Sequence, residues 1–108
     1  MNLSNEQQQI YLTIAANALE TIQMAKRQLL FANSVDDRSM WRLFQQRGEA
    51  LFIDSMKMLG MTNKVPYSLL NMNRDEILHY LTNRQVIHIA RKKSYQRQKE
   101  YKNATANS

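Results

Sequence analysis

Apolar residues recur along the chain at helical rather than strand spacing. From about Ser4 to Asn33, the positions Ile10, Ile14, Ala18, Ile22, Ala25, Leu29 and Ala32 fall on one face of a 100° wheel, widened by Leu12, Leu19 and Leu30. Ser4 followed by Gln7 is the signature of a capping box, so the pattern predicts a first helix over about 4–33. Ser34 and Asp37 repeat the capping arrangement, and Asp36 and Asp37 sit where a helix dipole favours negative charge. They open a second predicted helix over about 35–59, whose stripe is Met40, Phe44, Gly48, Leu51, Ser55 and Met58, flanked by Trp41, Phe52 and Leu59. Gly48 lies inside that stripe, where glycine costs roughly 1 kcal/mol relative to alanine. A close backbone crossing compensates for it, and the Ala positions of the first stripe permit one.

With almost no loop between them, these two segments form an antiparallel αα-hairpin. At ~1.5 Å per residue each helix is roughly 35 to 45 Å long, so the hairpin is elongated and leaves apolar surface on its flanks. A third element or a second copy of the chain must cover that surface. Gly60 ends the second helix, and 61–72 is irregular and holds the chain's one proline, Pro66. Asn73 with Glu76, preceded by Met72 and followed by Ile77, marks the start of a third helix over about 73–102, while 103–108 is a small polar tail expected to fray. The expected fold is thus all-α, a small helical bundle forming a single domain over 1–102.

Composition narrows the chemistry. The chain has 108 residues, no Cys, 2 Gly and 1 Pro. Disulfide frameworks, Cys-ligated metals and thiol nucleophiles are excluded, and Gly-rich phosphate loops have nothing to be built from. No apolar run approaches the ~20 residues that span a bilayer, and the opening MNLSNEQQQ lacks the basic region of a signal peptide, so a cytoplasmic location without membrane contact is expected. Glu76 and His79 have the Glu-x-x-His spacing of di-iron bundles, but such a site needs two of these motifs and two further glutamates. The remaining acidic residues cluster at helix starts, where capping accounts for them. No metal, no cofactor and no catalytic constellation is expected, and the protein is read as a non-enzyme.

Charge carries the sharper signal. Of 15 Lys+Arg and 9 Asp+Glu, residues 1–83 hold eight of each, whereas 84–102 holds Arg84, Arg91, Lys92, Lys93, Arg97, Lys99 and Lys102 against Glu100 alone. The entire formal charge of +6 therefore lies in one element. Together with Tyr95, Tyr101 and several Gln, such a helix suits phosphate backbones, because cations displace counterions and rings stack on unpaired bases. The expected function is a regulatory or accessory protein binding DNA or RNA through Arg84, Arg91, Lys92, Lys93, Tyr95, Arg97, Lys99 and Lys102. The competing reading is an adaptor or inhibitor of the phage or mobile-element type. It would act through a helical surface, with the basic helix on an acidic protein partner and Met61, Tyr67, Leu70 and Met72 forming a contact patch.

Phe52 to Leu70 also carries an apolar–Gly–apolar turn at Leu59-Gly60-Met61 followed by Thr62, as in a helix-turn-helix. Pro66 falls where a recognition helix would be continuous, and an ordinary helix end explains the same residues. The stretch Lys64-Val65-Pro66-Tyr67-Ser68-Leu69 resembles the C-terminal segment of Hha-like nucleoid-associated regulators, without a motif that transfers any site. Self-association is a further expectation, from the apolar flanks of the first helix.

Overall fold

The computed structural model describes residues 3–61, 65–67 and 71–106, with side chains through Lys102. Three helices account for the regular structure: α1 (Asn5–Phe31), α2 (Val35–Met58) and α3 (Arg74–Ala106). No strand occurs among the described residues, and none of their helices is long and apolar enough to cross a membrane. The caps read from the sequence form as hydrogen bonds. Ser4 Oγ accepts from the Gln7 amide at 3.1 Å while the Gln7 side chain accepts from the Ser4 amide at 2.9 Å. Ser34 Oγ accepts from the Asp37 amide at 3.0 Å, and Asn73 Oδ1 from the Glu76 amide at 2.9 Å. α2 closes through the Gly60 amide on the Lys57 carbonyl and the Met61 amide on the Met56 carbonyl, both at 2.9 Å. This paired closure needs a left-handed residue, and Gly60 supplies it at φ 70°.

α1 and α2 pack as the expected antiparallel hairpin, with Gly48 buried against α1. A Cβ built there would lie 2.8 Å from Ile22 Cγ1, closer than carbon contacts allow, and a tight 3.1 Å from the Ala18 carbonyl oxygen. Any larger residue here would require Ile22 or the helix backbone to shift. α3 runs antiparallel to α1: Arg74 Nε donates to Asn17 Oδ1 at 2.7 Å, and eleven residues on, Gln85 Nε2 donates to Gln8 Oε1 at 2.9 Å. The core gathers where the three helices meet, from Leu12, Ala15, Ala16, Ala18, Leu19 and Ile22 of α1, Phe52 and Met56 of α2, and Ile77 and Leu81 of α3.

Two expected stripes prove to be rotated. On α1, Leu12, Ala18, Leu19, Ile22 and Ala25 of the expected face are buried, but Ile10 and Leu30 are exposed and Ala15 and Ala16 are buried in their place, because α1 faces two partners whose contact arcs meet along that line. On α2, Met40, Phe44, Leu51 and Met58 are exposed while Phe52 and Met56 join Gly48 and Ser55 inside. The buried arc is turned toward the side on which the chain returns after Gly60. Glu49, on that side, accepts hydrogen bonds from the Tyr67 hydroxyl at 2.8 Å and from Gln45 Nε2 at 3.0 Å. The opposite flank of the hairpin stays open. The helical assignment of α3 continues to Ala106, past the expected bound at 102.

The molecule measures 71 × 23 × 23 Å, with a radius of gyration of 18.4 Å against the ~13 Å of a compact domain this size. α3 passes the start of α1 near His88. What remains of it, about 25 Å of helix, projects beyond the hairpin as an arm.

Candidate nucleic-acid interface

The arm is built by continuing a core line into water. Ile77, Leu81, Gln85, His88, Lys92, Tyr95, Lys99 and Lys102 follow one another at intervals of three or four, which keeps them on one face of α3. The first three are buried against the hairpin, His88 is half-buried, and the last four are exposed. One helical stripe thus changes from apolar to cationic as it leaves α1. Arg84 and Arg91 border the same face, Lys93 and Arg97 lie opposite it, and all four are exposed, so the arm presents charge on both sides rather than along one edge. All eight residues expected to meet nucleic acid stand on this one helix with solvent access, Arg84 still alongside the hairpin and the rest beyond it.

At the root of the arm, α3 and the open end of the hairpin border an open cleft of about 910 Å³. Lys57 from the end of α2 faces Lys92 and Lys93 across it, with Gln85, His88 and Gln96 supplying polar lining. Gly60 borders the same cleft, and a Cβ there would stand 3.8 Å from His88 Nε2. Three cations and several neutral hydrogen-bonding groups around an open cleft suit one or two phosphates of a backbone whose other phosphates follow the arm. Lys57, His88 and Gln96 are not evident in the sequence as site residues. Lys57 lies thirty-five positions before Lys92, and only the register of α3 on α1 brings them together.

Three residues of the expected contact patch make contacts within the molecule. Met61 and Met72 are half-buried and pack against the core. Tyr67 holds Glu49 through its hydroxyl and carries Lys26 Nζ over its ring, 4.2 Å from the centroid. Its phenol is raised above the usual 10.0, first by the hydrogen bond to Glu49, then by partial burial and the carboxylate charge, against a smaller opposing contribution from Gln45. Leu70 and Thr62 lie outside the described residues, as does most of the turn on which a helix-turn-helix would depend. Among the described residues no three His, Asp or Glu side chains converge on a point that could hold a metal ion, and Glu76 and His79 are both exposed. Comparison of the chain with family models, with curated protein sequences and with solved structures gave no match.

Proposed function

We propose that this chain is a small non-enzymatic accessory or regulatory protein of the cytoplasm that binds nucleic acid through the projecting arm of α3 and the cleft at its root. The carrying observation is the stripe that leaves the hairpin: Lys92, Tyr95, Lys99 and Lys102 continue the buried line of Ile77, Leu81 and Gln85 into solvent. A helix with no apolar face cannot stabilise itself by packing, and an arm of about 25 Å spans only about seven phosphates along one strand. Its cations bring affinity that is largely indifferent to sequence, while Tyr95 and Tyr101 offer stacking to unpaired bases.

Anisotropy titrations with duplex and single-stranded oligonucleotides across a salt series test the proposal. The expected result is a log–log salt slope of about −3 to −6, corresponding to several displaced counterions. Reversing Arg91, Lys92 and Lys93 to Glu should abolish binding while leaving the helicity measured by circular dichroism unchanged. Absence of binding at low salt by the folded protein sinks the nucleic-acid reading. Capture by the arm of an acidic protein whose retention survives nuclease treatment would transfer the same surface to a protein partner.

A further inference from the structure

α3 covers one flank of the hairpin, and we infer that the other flank is the contact surface for a second copy of this chain. Phe44, Leu51 and Met58 recur at intervals of seven along α2, beside the line of Gly48 and Ser55 that meets α1 and away from the Glu49 side that holds Tyr67. They are 38%, 48% and 46% exposed, and Met58, on the last turn, also borders the cleft.

The pattern is self-complementary, as a two-fold interface requires. An antiparallel α2–α2 pairing centred on Leu51 stacks that residue on its own copy and sets Phe44 against Met58 of the second copy, and Met58 against its Phe44. The same axis brings Arg47 opposite Asp54 of the second copy, twice, on the outer rim. Both are exposed, and neither has an ion pair among the described residues. The three apolar side chains form the centre of this contact and the two symmetric Arg47–Asp54 pairs its rim. The product is a pair of hairpins joined through α2, with the two basic arms leaving at opposite ends. This inference does not depend on what the arms bind.

Light scattering and sedimentation of the full chain at tens of micromolar should give a dimer. Leu51→Glu, at a half-exposed position, should give a monomer of unchanged helicity. Arg47→Asp should weaken the dimer about tenfold by placing like charges together at both symmetric pairs, and adding Asp54→Arg should restore it. Because the chain has no cysteine, Leu51→Cys provides a direct test of the axis: it should form a disulfide dimer on mild oxidation, whereas Gln46→Cys on the outer side of α2 should not. A monomeric mass for the folded protein overturns the inference. So does a dimer indifferent to Leu51→Glu, or cross-linking of the Leu51→Cys variant no more efficient than that of the Gln46→Cys variant.

Discussion

The two halves of α3 are one continuous helix made of different materials. From Arg74 to Ile89 the helix buries Ile77, Leu81 and Gln85 against α1 and belongs to the core. From Arg91 to Lys102 every side chain is exposed. The backbone geometry is the same in both; the difference is which medium the inner stripe meets. The first half is ordered by burial. The second is held only by helical continuity with the first, so it can be altered chemically without disturbing the scaffold. A chain this small can in this way separate what it needs in order to fold from what it offers to a partner.

Removing one side chain from each half of α3 should have very unequal effects. Ile77 is fully buried in the shared core, and Ile77→Ala should cost about 2 to 4 kcal/mol of unfolding free energy, a large share of what a domain of this size has. Tyr95 is 68% exposed, and Tyr95→Ala should change stability by less than about 0.5 kcal/mol. Urea denaturation followed by circular dichroism measures both. Equal losses would mean that the arm is packed against something and that the two halves are not distinct.

How far this division is legible in the residues depends on the element. The caps at Ser4, Ser34 and Asn73, the ending at Gly60 and the close crossing at Gly48 can all be read in advance, because each is a local demand that few residue types meet. The cationic segment is legible for the same reason, as charge is written in the sequence directly. The choice of flank is not. A wheel gives the width of an apolar stripe but not which part of it finds a partner, and Phe44, Leu51 and Met58 differ from Phe52 and Met56 only in lying on the side that α3 does not reach. The cleft is hidden likewise, since Lys57 joins Lys92 and Lys93 only through the register set by Gln85 on Gln8.

That register also moves the boundary between scaffold and arm. The onset of the charge excess suggests a division after Asn83, but Gln85 is buried and bonded to Gln8, and His88 and Ile89 are half-buried. Truncation after Ala90 should therefore leave the unfolding midpoint nearly unchanged and remove nucleic-acid binding. Truncation after Asn83 should cost a further 1 to 3 kcal/mol or so, from one lost hydrogen bond and the uncovered end of the core. If the two truncations unfold at the same denaturant concentration, the scaffold ends where the charge begins.

The smallest expected effect tests whether the segment before α3 belongs to the scaffold half. Tyr67 donates its hydroxyl to Glu49 at 2.8 Å, and this bond holds the phenolic proton, raising the group above 10.0 in the folded chain. Between the unfolded and folded values the native state binds more protons than the unfolded one, so stability falls as pH rises through that window. The contribution is fully present below pH 10 and is lost as pH rises through the folded value, where the phenolate would face the Glu49 carboxylate. Because Tyr67 is 47% exposed, solvent screens the interaction, and Tyr67→Phe should cost under about 1 kcal/mol at neutral pH. The alkaline absorbance titration of the unsubstituted chain, after subtraction of the Tyr67→Phe curve, should show one phenol with a midpoint above 10.0. Glu49→Gln should shift that midpoint downward, since the amide removes the charge that the phenolate meets. A difference curve centred at 10.0 and unmoved by Glu49→Gln would mean that the Tyr67 contact does not hold in solution, leaving Gln85 and Arg74 to fix the register of α3.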